Sequence, residues 1–166
     1  MEKVICLIVL VTVINSGCQQ KPASELIDIN GAKKAVNDLL DNYHNSMQSK
    51  DSSNMMMLLS DDGLYCGTDP MELWDKKTLS NYMTKAFADT SLVINYNIDK
   101  REIRVAKDGE TAVTIEQFIM DVISPKIPIR AITYAMKDGD VWKIDFLSLS
   151  LIPTNADTPK INKAVE

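Results

Sequence analysis

Ile129-Arg130-Ala131-Ile132-Thr133-Tyr134-Ala135-Met136-Lys137-Asp138-Gly139-Asp140-Val141-Trp142-Lys143-Ile144 is the stretch that decides the fold. β-Branched and aromatic residues recur on both sides of Asp138-Gly139, a dipeptide suited to a tight hairpin. The stretch predicts two antiparallel strands, Ile129 to Lys137 and Val141 to Ile152. Upstream, Ser124-Pro125-Lys126-Ile127-Pro128 reads as a proline-bounded loop, and Thr111 to Val122 as another strand. Lys107-Asp108-Gly109-Glu110 is a further hairpin signal. Before it, Leu92, Ile94, Tyr96 and Ile98 alternate with polar residues, whereas Ile103 and Val105 carry the apolar face on odd numbers. That parity switch predicts a bulge between Asp99 and Glu102. Four long antiparallel strands therefore close the chain.

The period differs upstream of Ser91. Val36, Leu39, Leu40, Tyr43 and Met47 recur at helical spacing, with Lys33, Lys34, Asp38, Asp41 and Asn45 on the opposite face. They predict an amphipathic helix ending near Ser49. Asp51 and Ser52 offer cap oxygens for a short second helix with Met55 to Leu59 as its body. Asp61-Asp62-Gly63 reads as its breaker, Leu64 to Cys66 as a short strand, and Gly67-Thr68-Asp69-Pro70 as a turn. Asp75 caps a third helix in which Leu79, Tyr82, Met83, Ala86 and Phe87 share a face. Helices followed by an antiparallel sheet define an α+β domain, here a bent sheet wrapped around a long helix to enclose a cone with one open end.

The N-terminus carries a different signal. Met1-Glu2-Lys3 precedes an apolar run from Val4 to Ile14, then Asn15-Ser16-Gly17-Cys18. Eleven apolar residues are too few to span a bilayer, which needs roughly 20 in a helix. The pattern reads as a cleavable export signal. Its closing Ser-Gly-Cys resembles the bacterial lipoprotein signal, in which the cysteine is acylated and becomes the new N-terminus. An ordinary secretory signal with a coincidental cysteine is the other reading. Lipidation at Cys18 would place the protein in the bacterial cell envelope, facing the periplasm or exterior, with the membrane as partner. Residues 1–17 removed from 166 leave 149, enough for one compact domain. Cys6 falls in the signal, so Cys66 has no internal disulfide partner and reads as an inert thiol.

The formal charge of −5 shows no basic footprint for nucleic acid. His44 is the one histidine in the chain, so a multi-histidine metal site is excluded. Neither a zinc motif, a nucleophile elbow nor a phosphate-binding glycine loop occurs, and no metal or organic cofactor is expected.

The order of elements, with Gly67-Thr68-Asp69-Pro70, Trp74 shortly after and the final Gly139-Asp140-Val141-Trp142-Lys143-Ile144, resembles the SnoaL-like branch of the nuclear transport factor two superfamily, the cystatin-like α+β barrels. The resemblance covers about Lys33 to Pro153. It implies three N-terminal helices packed in a strongly bent antiparallel sheet. The expected organisation is a signal peptide at 1–17, a tether at 18–31, a SnoaL-like domain at 32–153 and a polar tail at 154–166. Isomerases of this superfamily use a helix-one tyrosine and two acids. Tyr43 falls at the tyrosine position and Asp69 is the carboxylate nearest the base position. Thr133 stands near the second acid position. Since only the tyrosine is kept, the resemblance implies the fold and not isomerase chemistry. The superfold hosts both enzymes and binding modules.

Three functions fit this reading: a binder of a small apolar molecule in the cone, an enzyme, or an interaction module with a filled cone. Tyr43, Asp69 and Glu116 are the weak catalytic candidates. Tyr43, Met47, Trp74, Glu116, Phe118, Met120, Thr133, Phe146 and Ser148 are the expected pocket. Glu116 shares its face with Phe118 and Met120 by strand alternation, so a partner such as Arg130 or Lys143 is expected for it. His44, off the apolar stripe, is expected at a helix flank. On the last strand Leu147, Leu149 and Leu151 share the face opposite Trp142, Ile144 and Phe146. An apolar outer face needs a cover, so a homodimer through those leucines is expected.

Overall fold

The computed structural model describes residues 27–165. The expected signal peptide and the lipid site at Cys18 lie outside the described residues. Helix α1, Ile29–Ser49, starts inside the stretch read as tether, because Asp28 caps it by accepting from the Gly31 N–H at 2.8 Å. Val36, Leu39, Leu40 and Tyr43 bury its apolar stripe as the spacing predicts. Lys50, in the left-handed region at φ 57°, ends it. Asp51 at once caps α2, Ser52–Met57, through the Asn54 N–H. Strands β1, Leu59–Cys66, and β2, Leu73–Trp74, follow, then α3, Lys76–Ala88, capped by Asp75 on the Thr78 N–H.

Strands β3, Ile98–Val105, β4, Thr111–Met120, β5, Ser124–Asp138, and β6, Val141–Leu151, form the long antiparallel meander. The sheet order is β2-β1-β6-β5-β4-β3, and its curvature wraps the helices into the expected cone. The pairing of β1 with β6 is parallel, so the sheet is mixed rather than purely antiparallel. A last helix, α4, Thr158–Ala164, gives the tail a helical turn but buries no residue.

Four local readings are corrected. Asp61-Asp62-Gly63 does not break the chain but lies within β1, where the pairing with β6 is irregular between Leu59 and Leu64. Gly63 permits this, since a Cβ there would stand 2.7 Å from the Asp145 carbonyl and would collide with the Tyr65 hydroxyl. Pro125 to Pro128 is not a free loop but an irregular part of β5, between the Met120–Ser124 and Phe118–Ile129 pairs. Proline cannot donate to a ladder, which explains why the pairing skips these residues. Leu92 to Asn97 belongs to no strand although Ile94 and Tyr96 are buried, and β3 starts only at Ile98. Alternation there reports which side chains are buried and not whether the backbone is paired. The bulge expected after Asp99 lies between Ile98 and Lys100.

The fourth correction concerns the last strand. Tyr134 pairs with Phe146 and Ala135 with Ile144, so Asp145 is an unpaired extra residue. A bulge of one residue reverses facing beyond it. Trp142 and Ile144 point into the core before it; after it, Leu147 and Leu149 point in and Phe146 and Ser148 point out.

Candidate functional site

The cone holds two neighbouring cavities. The larger, about 240 Å3, opens between α1, α3, the end of β1 and β6. A smaller one of about 30 Å3 lies deeper, against β4 and β5. Tyr43, Met47, Met120, Leu147 and Leu149 line both, so they form the partition between mouth and depth.

Sequence-expected residues divide across this geometry. Tyr43, Met47, Trp74 and Met120 line the larger cavity, while Glu116, Phe118 and Thr133 line the inner one. Phe146 and Ser148 line neither, because the Asp145 bulge turns them outward; Leu147 and Leu149 stand in their place. The same bulge removes Leu147 and Leu149 from the outer face, so a dimer cannot form on them as expected. Leu151 shares their parity and is exposed at the strand end. Asp69 is exposed in its turn, where its carboxylate accepts from the Met71 N–H at 2.8 Å.

Glu116 is buried as alternation predicts, at 1% exposure, but its partners are not the expected Arg130 or Lys143. Arg101 Nε donates to Glu116 Oε1 at 2.7 Å, and His44 Nε2 lies 2.9 Å from Oε2. Arg101 reaches back across α1 through Nη1, donating to Asp41 at 2.6 Å and to Asn37 at 2.8 Å. The second ring nitrogen of His44, Nδ1, lies 2.8 Å from the Tyr96 hydroxyl. A carboxylate only accepts, so His44 Nε2 carries a hydrogen toward Glu116; with a neutral ring, Nδ1 accepts from Tyr96. Tyr96 also stacks on Phe118 at 4.9 Å between centroids. Burial pushes the Glu116 carboxyl up, but the His44 hydrogen bond and charge, and then those of Arg101, outweigh it and hold the group below its usual range.

Both Glu116 oxygens and both His44 nitrogens are thus engaged, and Asp69 is outside the cone. Neither carboxylate proposed as a base is free to take a proton from a molecule in the cavity. Tyr43 differs. Burial, and next the Glu116 charge, raise its phenol pKa, so it stays protonated. No described residue hydrogen-bonds its hydroxyl, leaving a donor for whatever occupies the space beside it.

Sequence reasoning missed three residues. His44 was expected at a flank because it sits off the apolar stripe, but a buried ring satisfied on both sides needs no apolar stripe. Arg101 shows a detectable signal: it lies two residues before Ile103 on the inward parity, where an unpaired cation demands an inward acid. Glu72, in the turn before Trp74, lines the cavity rim. Among the described residues no group of three or more His, Cys, Asp or Glu is placed to hold a metal ion, and no helix is long and apolar enough to cross a membrane.

A bent sheet enclosing a helix over an open apolar cavity defines a cystatin-like α+β protein of the nuclear transport factor two type. More narrowly, the chain belongs to the SnoaL-like domain family, whose model matches residues 36–155. Solved structures agree on the fold. An uncharacterised cystatin-like protein from Caulobacter vibrioides superposes with TM-score 0.65 at 15% identity, covering 80% of this chain and 99% of its own. A nuclear transport factor two-like protein of unknown function from Pseudomonas putida gives 0.64 at 12% identity, with 78% and 92% covered. Another such protein, from Cytophaga hutchinsonii, gives 0.58 at 17%, with 72% and 97% covered. No curated protein matches the chain. Identities this low carry the fold alone.

Proposed function

We propose that this is a lipid-anchored bacterial envelope protein whose cone binds a small, mostly apolar molecule without transforming it. One observation carries the binding: an open cavity of about 240 Å3, walled by aromatic, methionine and leucine side chains, with the Tyr43 hydroxyl, which no described residue hydrogen-bonds, among its polar contacts. Glu116 and His44, with both oxygens and both nitrogens engaged, argue against acid–base work by that pair. The anchor rests on the signal-like N-terminus that ends at Cys18. Native mass spectrometry of residues 19–166, purified without detergent from a host lysate, tests the binding. A retained small molecule, lost in a Met83→Trp variant that fills the cavity, supports it. An empty chain that also takes up no apolar probe refutes it.

A second reading, homodimerisation through the outer sheet face, is favoured by one row of side chains. Val113, Tyr134, Phe146 and Leu64 are successive cross-strand neighbours over β4, β5, β6 and β1, and Ile115 pairs with Ile132 beside them. Val113, Ile115, Ile132 and Leu64 are each at least 40% exposed. Such a patch is a self-complementary surface for a second copy.

A further inference from the structure

The cavity has one charged group on its wall, and that group is an acid. Among the described residues, Glu72 is the sole cation or carboxylate lining the larger cavity, and no described lysine, arginine or histidine reaches it. No described cation lies within ion-pair distance of Glu72. Among the described residues its carboxylate accepts only from the Asp69 N–H, at 3.1 Å. The backbone holds it at the rim: Gly67 N–H donates to the Glu72 carbonyl at 2.9 Å, and Glu72 N–H to Asp69 at 2.9 Å. Gly67 also clears room for the side chain, since a Cβ there would stand 2.7 Å from the Glu72 carboxyl carbon.

Around this acid stand aromatic rings. Trp74 and Tyr82 stack at 4.8 Å between centroids beside the mouth, and Phe87, Tyr65 and Tyr43 continue the wall inward. Ring faces attract cations, most strongly where water is excluded. A carboxylate at the edge of a low-dielectric cleft focuses its field into the cleft.

We infer that the occupant is cationic: an organic ammonium with an apolar body, its charge held between the aromatic wall and Glu72. This inference rests on the binding reading above and names the class of ligand for that site. A cavity that selected by apolar contact alone would instead favour a neutral molecule of the same shape, because the ammonium must shed hydration.

The test compares phenyltrimethylammonium with tert-butylbenzene, which has the same shape and no charge. Binding to residues 19–166, which hold every described element, is followed by calorimetry and by tryptophan fluorescence in a Trp142→Phe background that leaves Trp74 as the reporter. At low ionic strength the ammonium is expected to bind about tenfold more tightly than the hydrocarbon, the size of one favourable cation–aromatic site. Added salt should erode ammonium affinity and leave the hydrocarbon unchanged. Glu72→Gln should remove most of the preference while circular dichroism stays as in the parent. Equal or tighter binding of tert-butylbenzene would overturn the cationic inference and leave the apolar-cavity reading intact. Binding of neither probe would overturn both. A preference that survives Glu72→Gln and high salt would overturn the role given to the acid.

Discussion

Arg101→Met removes one cation from the buried network and leaves the Glu116 carboxylate with His44 alone. The methionine matches the arginine stem in bulk, so packing against α1 is kept and the loss is electrostatic. Breaking a buried pair by deleting one partner costs about 3–5 kcal/mol, much of it from the stranded charge. Arg101 keeps some solvent contact, with 16% of its side chain exposed, and its bonds to Asp41 and Asn37 lie at the rim. The expected cost is therefore at the low end, about 3 kcal/mol. For a domain of this size that lowers Tm by roughly 10 °C. The pH dependence carries the sharper signature. Glu116 is held below its ordinary pKa in the folded protein, so its ionised form contributes stability above the unfolded-state value near 4.5, and that contribution is lost as pH falls through the folded value. Without Arg101 one cause of the depression disappears, the folded value rises, and the acid limb of the stability curve moves to higher pH. Glu116→Gln should flatten that limb instead. Thermal denaturation followed by far-ultraviolet circular dichroism across pH 3 to 7 measures all three proteins. A Tm loss under 2 °C in Arg101→Met, or an acid limb unchanged in Glu116→Gln, would show that the network does not stabilise the fold as the geometry implies.

Tyr96→Phe keeps the stack on Phe118 and strands His44 Nδ1 inside the protein; a loss of about 1–2 kcal/mol in urea denaturation is expected, and none would show that water replaces the hydroxyl. Ile132→Lys on the outer sheet face should convert a dimer to a monomer in sedimentation while the far-ultraviolet circular dichroism spectrum of the fold is kept; a parent that is already monomeric at high concentration would remove the dimer reading.

How far the chain can be read without coordinates follows from what each pattern encodes. Helical spacing in Val36, Leu39, Leu40 and Tyr43 encodes a buried stripe, and α1 forms where that stripe and the Asp28 cap put it, with Asp51 starting α2 just beyond. Alternation along Thr111 to Met120 encodes facing, so Glu116, Phe118 and Met120 share the interior. A single inserted residue shows only as a shift of parity in the alternation, as it does after Ile98 in β3. Asp145 makes one insertion without proline or glycine to mark it; its trace is the shift of apolar residues from even numbers at Trp142, Ile144 and Phe146 to odd numbers at Leu147, Leu149 and Leu151, and it inverts the roles of Phe146 and Ser148 against Leu147 and Leu149. The pocket and the outer face were therefore legible up to residue 144 and exchanged after it. Pair identity is a different loss. Burial of Glu116 demands a cation, but strand order decides which one, and Arg101 faces it across β3–β4 while Arg130 points outward. His44 shows the limit from the other side: a ring that satisfies both nitrogens against Glu116 and Tyr96 is at home in a core, and no local pattern distinguishes it from a surface residue, because its partners are 72 and 52 residues away. What can be read locally is the shape of the cone; what its interior can do chemically is set by contacts between residues far apart in the chain.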